Sequence, residues 1–369
     1  MKILYSCLSK SWGGMEMFTL TSVKQLLKRN ISVEFLCAEE SRLQIEANNL
    51  GIIVHTLKAT WPHYFSNIIR LALLIRRSSY NIIHSHASGD LWFFVPALKI
   101  LNNQTPLLLT KHVASFIVKK DLLHRWIYNR LNFAIAISTM IKKNLMETCL
   151  LPESKVLLLH NGVDLARFNP ERVDSKKVRI EFNIDDREIL IGMLARFSPG
   201  KGHEEFLFAA SKLNKKYSNL KFIITGEASR GENSYMDSIK KVASNYKLTN
   251  LIFTGFRSDT PEVLSAMDVF VFPSHAESFG IALIEAMAMG KPCVCSNADG
   301  VLDIAVDGES ALFFKNRDAE DLFDKLVVLI ESDELRRKLS VAARKRVAEK
   351  FDIEKFTERL LEIYKQAKL

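Results

Sequence analysis

Between Pro273 and Gly290 the chain reads Pro-Ser-His-Ala-Glu-Ser-Phe-Gly-Ile-Ala-Leu-Ile-Glu-Ala-Met-Ala-Met-Gly. Two carboxylates stand in this stretch: Glu277 just ahead of a predicted helix, and Glu285 inside it, two turns on and among apolar neighbours. A carboxylate in such company must be paired or bound to ligand hydroxyls, because burying it alone is too costly. Ser278, Phe279 and Gly280 set backbone N–H groups at the helix start, where an anion is favoured. Carboxylates for hydroxyls beside amides for phosphate point to a sugar nucleotide. A plain helix start followed by a satisfied core Glu is the competing account.

Other turns offer related chemistry. Ala195-Arg-Phe-Ser-Pro-Gly-Lys-Gly202 places a cation at each side of a Gly-containing turn. Arg196 can grip a diphosphate bidentately and Lys201 can act as a point charge, unless both are simply solvated. Ser11-Trp-Gly-Gly-Met-Glu16 runs straight into a helix, so Gly13 and Gly14 let a ligand approach the backbone, or merely make a helix-entry turn. No Gly-x-Gly-x-x-Gly dinucleotide fingerprint occurs. His84-Ser-His86 and Thr110-Lys-His112 each close an apolar run. A histidine there can orient a sugar hydroxyl or move a proton, or be structural. His84 and His86 are expected on one side of a strand, without the further ligands a zinc site needs.

The elements that position these residues are short apolar runs alternating with amphipathic stretches. Runs at 2–5, 31–37, 52–55, 81–84, 106–109, 133–137 and 155–159 are followed, after a polar stretch at 169–187, by a second series. That series lies at 188–194, 220–225, 250–253, 268–272, 292–295 and 311–314. Met17–Lys28 and Thr139–Thr148 have helical apolar spacing. The pattern is that of α/β units with parallel sheets covered on both faces, two doubly wound sheets in tandem. In such sheets ligands bind beyond the carboxyl ends of strands, where all the turns above fall. Asn161–Pro170 is the expected hinge, the chain is helical beyond 318, and Asp352 is placed to cap a last helix through Lys365.

With 369 residues, 48% hydrophobic and 25% charged, the chain suits two domains and is not disordered. The longest obvious apolar run, Leu91–Leu98, holds Pro96 and falls short of the ~18 residues of a membrane span. The opening Met-Lys-Ile-Leu-Tyr-Ser turns polar within ten residues and reads as a first strand rather than a secretory leader. Five cysteines (Cys7, Cys37, Cys149, Cys293, Cys295) make no framework and fit a reducing cytoplasm; Cys293-Val-Cys295 lacks a second pair for metal.

The net charge is +9, with 20 basic and 10 acidic residues over 1–170 against 31 and 32 over 171–369. One half therefore faces a polyanion, or carries ordinary solubility charge. Aromatic side chains stud that half, at Trp61–Phe65 with Arg70, Arg76 and Arg77, and over Phe116–Arg130. This composition suits an anionic membrane interface, with core packing of the apolar members as the alternative. No helix-turn-helix, finger or RNA-binding signature speaks for nucleic acid.

Together the motifs resemble the family-4 retaining glycosyltransferases of the GT-B fold, over nearly the whole chain. The marks are Gly13-Gly14-Met15-Glu16, His86, His160-Asn-Gly-Val-Asp164 with Phe168, Arg196, Lys201, Gly226, and Glu277 with seven residues before Glu285. The resemblance implies two Rossmann-like domains facing across a cleft, an acceptor-side domain 1–163 and a nucleotide-sugar domain 164–352, with the helix 353–369 crossing back. It implies a nucleotide-sugar substrate, UDP-linked by preference with GDP possible, and no cofactor or metal. Arg196 and Lys201 would hold the donor diphosphate with the amides near Ser278, Phe279 and Gly280, helped by the Gly13-Gly14 turn and Gly226. Glu285 would bind ribose, Glu277 the donor sugar, and His86 would sit by the reacting carbon. Two departures stand out: Glu227-Ala-Ser-Arg230, where many relatives have a second glycine, and Asp303, where Glu is commoner. The expected reaction transfers a sugar to a saccharide or lipid-linked saccharide for envelope polysaccharide or lipopolysaccharide, at the inner face of the cytoplasmic membrane. The alternatives are a sugar-nucleotide epimerase of similar architecture and a non-catalytic nucleotide-sugar or polyanion binder.

Overall fold

The computed structural model describes residues 1–58, 61–228 and 231–368; Ser229, Arg230 and the side chain of Trp61, named above, lie outside the described residues. The chain divides into two compact units, Met1–Asn161 joined by Glu354–Leu369, and Gly162–Ile353.

The first unit holds seven parallel strands, β1 (Lys2–Cys7), β2 (Ser32–Ala38), β3 (Ile53–Leu57), β4 (Ile82–Ser85), β5 (Leu107–Lys111), β6 (Phe133–Ala136) and β7 (Val156–Leu158). Their order is β3-β2-β1-β4-β5-β6-β7. All seven apolar runs are strands, because central parallel strands are covered on both faces and need no polar alternation. In the second unit the six strands are β8 (Ile189–Leu194), β9 (Leu220–Thr225), β10 (Leu251–Gly255), β11 (Val269–Phe272), β12 (Cys293–Ser296) and β13 (Leu312–Phe314). They are ordered β10-β9-β8-β11-β12-β13. In each sheet the winding reverses once, between β1 and β4 and between β8 and β11, and a crevice at the strand ends opens at such a reversal. The turns carrying Gly13-Gly14 and His86 leave β1 and β4; those carrying Arg196 and Glu277 leave β8 and β11.

The apolar run Leu91–Leu98 lies in a helix, Leu91–Ile100, despite Pro96. A proline there denies the Trp92 carbonyl its usual helical donor. Tyr64 Oη takes that place, donating to Trp92 O at 3.0 Å. The last helix, Ile353–Ala367, belongs to the first unit from Glu354 onward. Phe356 meets Phe18 edge-on at 5.0 Å, Glu354 pairs with Arg29 at 2.5 Å, and Tyr364 Oη lies 2.8 Å from Tyr5 Oη in the core.

Candidate active site

In the second unit four turns are stitched together beyond the strand ends. Phe197 N–H donates to the Glu227 carbonyl at 2.9 Å, His275 N–H to Gly200 O at 2.8 Å, and Gly300 N–H to Glu277 O at 2.9 Å. Two glycines make this possible. Gly226 has φ +151, and a Cβ on it would overlap the Ala195 carbonyl behind Arg196. A Cβ on Gly300 would stand 2.7 Å from both Phe279 Cα and Ser278 O. Gly226 thus supports the turn that carries Arg196, and Gly300 supports the turn that carries Glu277.

Arg196 is exposed and forms no ion pair among the described residues. Lys201 Nζ and Glu277 Oε2 meet at 2.7 Å, both largely shielded from water. The two residues read from separate motifs, 76 positions apart, are therefore one charged pair. Phe279 is buried and packs edge-on against Phe351 at 5.8 Å, which anchors the turn and leaves Ser278 and Gly280 on its course. Gly280, with φ +119, starts the helix Ile281–Ala288; its carbonyl serves Leu283 and Ile284, so the Ile281 and Ala282 amides at the helix entrance precede the first helical bond. Such an end attracts an anion.

Glu285 sits one turn deeper, and its carboxylate has no hydrogen-bond partner among the described residues. Burial pushes it up to about 7, opposed by the charge of Arg167. A carboxyl poised in this way suits ligand hydroxyls, which would replace the water it has lost. Arg167 was not singled out from the sequence; only its place in the expected hinge hinted at it. His203, also unremarked, is fully buried, stacks on Phe197 at 4.6 Å and is driven down to about 4 by burial with Lys201 nearby. Asp303 lies in the short helix Val301–Ile304, with Arg346 on its carbonyl.

The first unit gathers a second set at the ends of β1, β4 and β5. Gly13 is extended and precedes the helix Gly14–Lys28, its carbonyl accepting from Met17 N–H at 3.0 Å. His84 is bonded at both nitrogens, Nδ1 to Tyr364 Oη at 2.6 Å and Nε2 to Thr110 Oγ1 at 2.8 Å. That makes it an anchor for the last helix. His86, its ring centroid 4.4 Å away as expected for one strand side, shares Nδ1 with His112 Nε2 at 3.0 Å. Its Nε2 is buried and has no partner among the described residues. Burial and the neighbouring rings hold His86 well below the ordinary histidine range, and burial brings His84 and His112 to about 3. All three are neutral near pH 7. His86 Nε2 is the open group of the cluster, able to meet a hydroxyl as donor or acceptor. Asp90, which no spacing announced, accepts from Ser6 Oγ at 2.6 Å and is pushed up to about 7 by burial. It ties the start of the Gly13-Gly14 turn to β4.

Of the aromatic and basic surface, part is core. Tyr128 is buried, and Arg130 donates to the Asn103 and Thr105 carbonyls. The expectation of a surface role fails for these two and for Tyr64, since each closes a packing or hydrogen-bonding need of the fold. The rest is open: Phe116 is 98% exposed and Leu122 82%, with Ile117, Leu123 and Trp126 beside them, and Phe65, Ile69 and Leu73 line the outer face of the helix Tyr64–Arg77. Among the described residues no helix is long and apolar enough to cross a membrane.

Residues 12–167 match the family described as Glycosyltransferase Family 4, and residues 174–346 match Glycosyl transferases group 1. The chain belongs to the family-4, group 1 glycosyltransferases, and its two doubly wound units are the Rossmann-like domains of a GT-B fold. It is 27% identical to the N,N'-diacetylbacillosaminyl-diphospho-undecaprenol alpha-1,3-N-acetylgalactosaminyltransferase of Campylobacter jejuni, over 97% of each chain. It is 24% identical to the UDP-Gal:alpha-D-GlcNAc-diphosphoundecaprenol alpha-1,3-galactosyltransferase of Escherichia coli, over 98% of this chain and 96% of that one. A glycosyltransferase from Rickettsia africae shares its fold with a TM-score of 0.89 at 22% identity, covering 99% of this chain and 98% of that one. HepE of Anabaena, solved with UDP-glucose, does so with 0.85 at 20%, covering 99% and 100%.

Proposed function

We propose that this chain is a retaining, metal-independent glycosyltransferase that moves a sugar from a nucleotide-sugar donor, UDP-linked by preference, to a saccharide carried on a lipid diphosphate. The observation that carries it is the donor-side group: an unpaired Arg196, the Lys201–Glu277 pair, an open helix entrance, and Glu285 without a partner. Diphosphate, sugar and ribose each find the chemistry they need there. Two nearly full-length relatives named for acceptors on diphospho-undecaprenol favour the lipid-linked substrate, and the E. coli name favours UDP.

In the proposed reaction the bond from the sugar's anomeric carbon to the donor phosphate oxygen breaks, and a bond to the acceptor oxygen forms on the same face. The acceptor's proton passes to the departing phosphate, and a nucleoside diphosphate leaves. Arg196, Lys201 and the amides at Ser278–Gly280 stabilise the charge that develops on it, the part a metal plays in other transferases. Lys201 comes to the phosphate from its contact with Glu277, which frees that carboxylate for sugar hydroxyls. His86 Nε2 takes a hydroxyl on the sugar side. The exposed aromatic and basic face of the first unit lies on the inner face of the cytoplasmic membrane, where such an acceptor is met.

Purified protein, offered UDP-, GDP- and ADP-sugars with a diphosphate-lipid-linked saccharide, should release nucleoside diphosphate only when donor and acceptor are both present. Arg196→Ala or Lys201→Ala should slow turnover by ~10²–10³. Unchanged turnover in Lys201→Ala and Glu277→Ala would overturn the site. An epimer formed from donor alone would overturn the reaction.

A further inference from the structure

The end of β5 carries two lysines that the donor chemistry leaves unused. Lys111 is only 7% exposed, and Lys119 is half-buried. Lys111 Nζ donates to Ser88 Oγ at 3.0 Å and Lys119 Nζ to Tyr128 Oη at 3.1 Å. Each lysine is thus held by one hydroxyl, Lys111 by Ser88 and Lys119 by Tyr128. Burial, together with the adjacent Lys119 charge, brings Lys111 down to about 8. Neither lysine forms an ion pair with a carboxylate among the described residues. Two neighbouring cations kept from water without a counter-charge cost stability, and a bound anion would offset that cost.

The surroundings indicate which anion. His112 follows Lys111 directly and is bonded to His86, so Lys111 leaves the same strand end as the histidine assigned to the sugar, with its side chain on the opposite face of the sheet, toward Ser88. On the other side the chain from Phe116 to Leu123 turns Phe116, Ile117, Val118, Leu122 and Leu123 outward, with Lys119 in its middle. A doubly charged head with a hydrocarbon tail matches a cationic spot opening onto an apolar face. We infer that Lys111 and Lys119, with the hydroxyls of Ser88 and Tyr128, hold the diphosphate of a prenyl-diphosphate-linked acceptor, whose hydrocarbon lies along Phe116–Leu123. The inference rests on the lipid-linked reading above and assigns the residues that recognise that acceptor.

Inorganic pyrophosphate is titrated calorimetrically into the full chain carrying Arg196→Ala and Lys201→Ala, which remove the donor-side cations. The same chain with Lys111→Met and Lys119→Met added is the comparison; methionine keeps the apolar stem, and removing uncompensated charge should leave the thermal midpoint unchanged or higher. The site requires at least ten-fold weaker binding in the lysine variant and retention with Lys119→Arg alone; equal affinity overturns it. In the otherwise native enzyme, the paired methionine variant should raise KM for a diphosphate-linked acceptor at least ten-fold. Donor KM, and KM for the same saccharide on a phosphate-free lipid, should hold. An equal rise for both acceptors, or a loss confined to flotation on phosphatidylglycerol vesicles, overturns the assignment. If no acceptor is turned over, the proposed function fails, while the pyrophosphate titration still decides on the lysine site.

Discussion

Glu285→Gln tests the donor site through its protons. Burial raises the Glu285 carboxyl from its ordinary 4.5 to about 7, against the pull of Arg167. The folded chain therefore binds that proton more tightly than the unfolded chain does. Stability from this group is fully present below pH ~4.5 and is lost as pH rises through about 7. At ~1.4 kcal/mol per pKa unit the loss reaches at most about 3 kcal/mol, less to the extent that the residue keeps contact with water. Gln stays neutral throughout, so Glu285→Gln should match the parent near pH 4.5 and surpass it at pH 8. For a domain of this size the gap amounts to roughly 6–12 °C in Tm. Donor binding should work in the opposite sense. A ribose hydroxyl donating to the carboxylate favours the ionised form, so binding near pH 7 should expel about half a proton. Calorimetry in two buffers of different ionisation heat reads that proton, and melting from pH 4.5 to 8.5 reads the linkage. Parallel Tm profiles for parent and variant, or donor binding without proton release, would refute the assignment of Glu285.

Gly300→Ala should push the Ser278–Phe279 backbone, which a Cβ would crowd at 2.7 Å, at a typical overpacking cost of ~1–3 kcal/mol; donor affinity should fall at least ten-fold, read by titration with the best nucleotide sugar. Tyr364→Phe removes the hydroxyl between Tyr5 and His84 Nδ1 and leaves the buried His84 Nδ1 unpaired, while Tyr5 keeps Ser22. It should cost ~1–3 kcal/mol, seen as a lower urea midpoint, with nucleotide binding by the second unit intact. Phe116→Ser with Leu122→Ser takes two exposed apolar side chains off the proposed membrane face and should weaken flotation on anionic vesicles about ten-fold or more without moving Tm.

How much of this could be read in advance depended on the range of the interaction. Strand positions were legible because a doubly covered strand such as Val269–Phe272 is apolar throughout, and the turns that follow are local in sequence. The charged pair Lys201–Glu277 was not, since nothing in either motif says that they touch across 76 residues. His84 shows the same limit more sharply, because its partner Tyr364 arrives from a helix 280 positions away. The sequence favoured His86 over His84 for the site without showing what holds either ring. The structure separates them by satisfying both nitrogens of one and leaving a nitrogen of the other open. Gly300 went unnoticed because its role depends on a backbone approaching from another loop.

The charge asymmetry sharpens once each cation is given its partner. Several basic residues of the first unit hold the fold together: Arg130 binds the Asn103 and Thr105 carbonyls, Lys155 those of Asn129 and Leu131, and Lys2 pairs with Glu34. These say nothing of a partner molecule. Among those that remain are Arg70, Arg76, Arg77, Lys120 and Arg125 at the surface and Lys111 and Lys119 further in, none in an ion pair among the described residues. The surface members are screened over ~8 Å at physiological salt and suit a diffuse anionic plane. Lys111 is shielded from that screening and Lys119 partly so, and together they suit one localised anion. A salt series should therefore weaken vesicle binding steeply and pyrophosphate binding less. The same salt slope for both would mean that the buried pair is only part of the surface field.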